Sequence, residues 1–175
     1  MTGSLGRRIA VASVATALGA IASVVLESPA MAGDFSAIYT CTGPVIGTQN
    51  TTITGSLTAT PNPATVGSPV AFTLHLTSIS LTAPVTINKW SASATLDVSG
   101  GQTASFAVTG SGGKVPANQP ITGNLTGSWK PTAAGTDEVS GGNVVVQANV
   151  FLLGNITINC TANDPRPVGE TVTVS

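Results

Sequence analysis

Val70, Phe72, Leu74 and Leu76 alternate with Ala71, Thr73, His75 and Thr77. An apolar residue at every second position is the period of a β-strand with one buried and one wet face. The same residues wound into a helix would scatter around its axis and give no continuous apolar stripe. The period recurs along the chain. Trp90, Ala92, Ala94, Leu96 and Val98 fall in phase, as do Ala104, Phe106 and Val108, and later Ile156, Ile158 and Cys160. Between these runs stand Pro61-Asn62-Pro63, Ser99-Gly100-Gly101-Gln102 and Gly154-Asn155, residues that favour turns for separate physical reasons. No helical period appears after Gly33.

This pattern predicts strands over 38–42, 51–60, 70–77, 85–98, 103–109, 121–130, 143–153 and 156–162, with a short edge strand over 171–174. Ile53 and Leu57 point inward in the second strand, around a Gly55 that marks a bulge. Segments 110–119 and 132–142 read as loops, and Gly154-Asn155 as a hairpin turn. The chain is therefore expected to be all-β. Seven to nine short strands are satisfied by an immunoglobulin-like antiparallel β-sandwich, with a jelly roll or a small antiparallel barrel as alternatives.

Residues 1–32 read as a secretory signal peptide, forming an N-terminal signal helix that is removed on export. Arg7 and Arg8 supply the positive start, 9–26 is an uncharged Ala/Val-rich run, and Ala30-Met31-Ala32 has the small-x-small form of a cleavage site. Cleavage after Ala32 leaves 33–175 as a single β-sandwich domain, secreted into the medium or associated with the cell wall, with no membrane contact after signal removal. A retained anchor is the competing reading, because the apolar run is just long enough to span a bilayer. The Arg pair leaves the general and twin-arginine export routes both open.

Cys41 and Cys160 are the two cysteines. In an oxidising compartment an even count leaves no thiol over. Their bond closes a loop of about 120 residues, for which chain entropy predicts a stabilisation of about 4–5 kcal/mol. A metal site would need more ligands than Cys41, Cys160 and the single His75 supply. No metal or cofactor is expected.

Charged residues make up 7% of the chain, with six Lys and Arg in all. Nucleic-acid binding needs a basic cluster that these cannot form. Catalysis needs titratable groups gathered in a pocket. His75, Asp97 and Ser99 allow a hydrolase triad to be drawn, but no nucleophile elbow accompanies them. Asp137-Glu138 are neighbours on an expected loop, where they suit neither a glycosidase pair nor, without further acids, a calcium loop. The Asn-x-Thr sequons at Asn50, Asn124, Asn155 and Asn159 are no more frequent than chance allows in a Thr-rich chain.

The segment 144–153, VVVQANVFLL, carries the one anomaly. Its wet face ends in Phe151 and Leu153. Either a loop such as 110–119 covers them, or they form an exposed apolar binding patch that Trp129 extends. The expected function is a secreted, non-catalytic module that binds an extracellular protein or a cell-wall component. The alternatives are a carrier with an apolar cleft for a small ligand, a protease inhibitor, or a structural envelope protein.

Several short motifs add to this reading. Tyr39-Thr40-Cys41-Thr42-Gly43-Pro44 opens the exported part, Pro63-Ala64-Thr65-Val66-Gly67-Ser68-Pro69-Val70 leads into an alternating strand, and Trp129-Lys130-Pro131 is followed by Gly135 and a final Cys160. Together they resemble a family of small secreted actinobacterial domains of unknown function. That resemblance implies an immunoglobulin-like sandwich and an extracellular location, and no site. The Thr/Gly/Ala-rich composition is also similar to that of the enediyne-binding apoproteins, which carry two disulfides where this chain can form one.

Overall fold

A computed structural model of the protein describes residues 33–80 and 84–175; the expected signal helix over 1–32 lies outside the described residues. The described residues form nine strands and no helix: β1 (Gly33–Gly43), β2 (Gly47–Thr60), β3 (Val70–Ile79), β4 (Ile87–Gly100), β5 (Ala104–Gly112), β6 (Gly123–Trp129), β7 (Gly135–Val150), β8 (Gly154–Ala162) and β9 (Val168–Val174). All nine pair antiparallel, in the order β4-β5-β6-β3-β2-β1-β8-β7-β9.

β4 also pairs with β7, from Ile87↔Val150 to Gly100↔Asp137, so eight strands close into a ring and β9 is added beside β7. Closure shortens the free edges along which such strands would pair with other chains. The ring has two short seams. β5 meets β6 through Val108↔Gly127 and Thr109↔Thr126, and β1 meets β8 from Tyr39↔Ala162 to Thr42↔Asn159. Cys41 and Cys160 are direct cross-strand partners in the second seam, and they are joined by a disulfide with their Cα atoms 4.0 Å apart.

The alternating strands bury the predicted faces. Val70, Phe72, Leu74 and Leu76 from β3 and Trp90, Ala92, Ala94, Leu96 and Val98 from β4 all lie in the core. A β-bulge falls at Thr54/Gly55, where a Cβ on Gly55 would strike the His75 carbonyl. Phe72, Phe106 and Trp129 form an aromatic cluster, with the Phe106 and Trp129 rings stacked at 6.3 Å.

Two expectations are corrected. Segment 132–142 is not a loop throughout, because β7 begins at Gly135 and runs 16 residues, its first half paired with β9 and its second with β8. Its inward residues there are Asp137, Val139 and Gly141, a sequence too polar to betray a buried strand. The second correction concerns the turn after β7. Val150 pairs with Gly154, so Phe151, Leu152 and Leu153 are the turn and Gly154-Asn155 already belong to β8.

β8 and β9 share one place in the ring. Near the β7–β8 turn, β8 lies between β7 and β1; towards the other end β9 takes over beside β7. An Asn62 hub clasps β9 from the β2–β3 connection. Its Nδ2 donates to the Thr171 carbonyl at 2.8 Å, and its Oδ1 accepts from the Thr173 N–H at 3.2 Å.

Candidate functional site

Antiparallel register sorts the connections into two ends. At one, here the tip, lie the β1–β2 turn, the β7–β8 turn, the start of β4 and the end of β5. At the other, the base, lie the Gly100-Gly101 turn, the β6–β7 connection and the start of β1.

The β7–β8 turn is apolar and bare. Phe151 is 58% exposed, Leu152 88% and Leu153 54%. The Leu153 N–H donates to the Val150 carbonyl at 3.2 Å and the Phe151 N–H to the Thr86 carbonyl at 3.1 Å, so the turn backbone is fixed. Leu152 has φ 68°, a left-handed conformation normally given to Gly or Asn. Neither backbone economy nor burial explains a leucine there. Exposed Val45 in the β1–β2 turn adds to the apolar character of this end.

Charge is segregated along the same axis. Among the described residues the tip end carries Lys89, next to the start of β4, and Lys114, beside the Val115 that bridges Ile87; both are exposed. Asp34, Asp97, Asp137, Glu138, Asp164 and Glu170 all lie in the base half, with Lys130 and Arg166.

Trp129 does not join Phe151 and Leu153. It is 7% exposed and pairs with Val70 at the base end of β6, where it belongs to the aromatic cluster. The anomaly in 144–153 thus resolves into a tip of Phe151, Leu152 and Leu153, with Leu152 the most exposed of the three. In a period of two Leu152 falls in phase with Val144, Val146, Ala148 and Val150, the inward residues of β7, so alternation alone does not reveal its exposure.

The interior of the ring holds an apolar void of about 70 Å³, bordered among others by Tyr39 of β1, Leu74 of β3, Trp90 and Leu96 of β4 and Val144 of β7. Cavities for drug-sized ligands run to roughly 300–1,000 Å³, and none of Phe151, Leu153 or Trp129 borders this one. A second, polar cleft of about 310 Å³ lies over Thr95, Asp97, Asp164 and Arg166. The Arg166 guanidinium fills its donor role there, with ion pairs to Asp97 at 2.5 Å and Asp164 at 3.4 Å. Beneath it, burial pushes the Tyr39 hydroxyl above its usual value; Arg166 works against that and Asp97 with it.

His75 Nδ1 lies 2.6 Å from the Asn124 Oδ1 on the neighbouring β6, so its bonded partner is neither Asp97 nor Ser99, which both belong to β4. Asp137 and Glu138 are consecutive strand residues on opposite faces, the first fully buried and the second exposed, which does not form a calcium loop. Among the described residues no three His, Cys, Asp or Glu side chains converge as metal ligands.

The described residues define an all-β, once-crosslinked fold with an apolar projection at its tip. No family model matches the chain, and a search of curated proteins finds no relative.

Proposed function

We propose that this chain is an exported, non-catalytic binding module of the immunoglobulin-like sandwich type, of the kind seen in small secreted actinobacterial domains, and that it engages its partner outside the cell through the 151–153 tip. The observation that carries the reading is Leu152, 88% exposed at φ 68°. Conformational cost without burial is retained where a residue serves something outside the fold.

The disulfide supports an oxidising destination. The short β5–β6 and β1–β8 seams support the sandwich reading: opening the ring at both leaves β1-β2-β3-β6 and β5-β4-β7-β8 as two facing layers. Lys89 and Lys114 flank the apolar tip, which favours a partner that is apolar at its centre and anionic at its rim, an extracellular protein or a cell-wall component. The small interior void does not favour the carrier reading.

The test is fractionation of cells making the full chain. The exported protein should begin at Gly33 by mass and remain with the cell surface, and Leu152→Asn should release it to the medium. Equal retention of the variant would sink the tip as the binding element; a mass that still includes 1–32 would sink export.

A further inference from the structure

Glu170 stands in phase with Val172 and Val174 on the inward face of β9 and is 7% exposed. Its Oε1 accepts from the Thr171 N–H at 3.1 Å and from the Asn62 Nδ2 at 3.3 Å. Its Oε2 is buried and has no hydrogen-bond partner. Both ion pairs among the described residues belong to Arg166, so no cation there serves Glu170. A carboxylate oxygen left like this is costly, and native folds keep such groups only with a compensating partner.

Gly33 lies against the same spot. A Cβ built on it would collide with the Gly169 carbonyl oxygen and come within 3.6 Å of the Glu170 nitrogen. The Gly33 N–H faces the Glu170 carboxyl. No side chain fits at position 33, and its nitrogen faces a carboxylate that has neutral donors on Oε1, no hydrogen-bond partner on Oε2 and no cation. Gly33 is also the residue at which the Ala30-Met31-Ala32 motif ends the export signal.

We propose that Glu170 is the receptor for the α-ammonium of Gly33, a group created only when the Ala32–Gly33 peptide bond is hydrolysed on export. Water supplies the hydroxyl to the Ala32 carbonyl and a proton to the Gly33 nitrogen, and solvent supplies the second proton that makes the ammonium. The amide N–H, a single neutral donor, becomes a cation with three donors beside an oxygen that lacks one.

The position gives the pair a structural task. β1 pairs with β8 only over residues 39–42, where the disulfide holds the seam. In the base half β1 meets β9, and Gly33 against Gly169 and Glu170 is that meeting point. The two halves of one seam would then be held by two covalently distinct devices, the Cys41–Cys160 disulfide and the amine freed at Gly33. This inference rests on the export reading above, and the groups that face the Glu170 carboxyl (Thr171, Asn62 and the Gly33 backbone) include no titratable side chain.

The test compares the exported protein beginning at Gly33 with the uncleaved 175-residue chain, each as wild type and as Glu170→Gln. The substitution should lower the folding equilibrium constant of the exported form by at least about tenfold, as removal of one partner from a buried ion pair does. It should leave the uncleaved chain unchanged or more stable. Equal losses in both forms would overturn the proposal. An NMR titration of the Gly33 α-amine in the exported wild type gives a second reading, independent of whether the variant folds. The amine should titrate above the ordinary α-amino range, and a value at or below that range would overturn the ion pair. A mass that begins at Gly33 with an ordinary amine defeats the ion pair alone, whereas a mass that retains 1–32 defeats the export reading with it.

Discussion

Asp137, fully buried on β7, has both carboxylate oxygens bonded to one residue, Gln102. Oδ1 accepts from the Gln102 N–H at 2.9 Å and Oδ2 from its Nε2 at 3.1 Å. The Gln102 Oε1 in turn accepts from the Thr132 N–H and hydroxyl, and its Nε2 also donates to the Ala133 carbonyl. One glutamine thus ties the β4–β5 turn, the β6–β7 connection and β7 together at the base. Gln102→Ala leaves Asp137 with a single donor and should cost about 2–3 kcal/mol, the range for hydrogen bonds to a charged group plus an unmet acceptor. Urea unfolding of the variant checks this, and a loss below about 0.5 kcal/mol would mean that water replaces the amide.

Cys41 and Cys160 close a loop with a sequence separation of 119 across the β1–β8 seam. Replacing both with Ala should cost about 2–5 kcal/mol. Because only four residue pairs hold that seam, from Tyr39↔Ala162 to Thr42↔Asn159, the loss should appear first as faster amide exchange in β1 and β8, with β4 and β7 protected longest. Uniform exchange across all strands would instead show that the ring opens as one unit.

Leu152 separates binding from stability. Asn tolerates a φ of 68° better than Leu, and the leucine side chain is 88% exposed, so Leu152→Asn removes strain and almost no burial. The variant should be as stable as the parent or more stable, by about 0.5–1 kcal/mol, while losing surface retention. A clear loss of stability would show that the leucine serves the fold itself.

How much of this was legible depends on where each residue's partner lies. The faces of β3 and β4 could be read directly, because Val70 to Leu76 and Trp90 to Val98 carry their burial in their own side chains. The first half of β7 could not. Asp137 is buried with Gln102, 35 residues away, as its partner, and Gly141 is half-buried with the Tyr39 hydroxyl in the space of its missing side chain. The β7–β8 turn is not legible because Gly154-Asn155 is the commoner turn pair, while the real turn places a leucine at positive φ. Ring closure through β4–β7 is a long-range pairing with no local signature. At the tip, Phe151 and Leu153 stood out as apolar residues on a wet face, and Leu152 did not. Glu170 is legible in the sequence as a lone acid in the inward phase of Val172 and Val174.

Glu170 also gives the uncleaved chain a pH dependence of definite sign. Burial pushes its carboxyl above the ordinary value of 4.5, with the Thr171 N–H, the Asn62 amide and the Gly33 N–H pulling the other way. Between the ordinary value and the raised one, the folded state binds more protons than the unfolded state. Stability therefore rises as pH falls through that window and declines as pH climbs out of it. Denaturant unfolding of the 175-residue chain at neutral pH and near pH ~5, each referenced to Glu170→Gln, should show the wild type gaining stability at the lower pH relative to the variant. In the exported form the Gly33 ammonium favours the ionised carboxylate, and the same comparison should reverse: the wild type exceeds the variant at neutral pH and loses that margin as acid protonates Glu170. Parallel pH profiles for wild type and variant in both forms would show that neither burial nor the new amine governs this carboxyl.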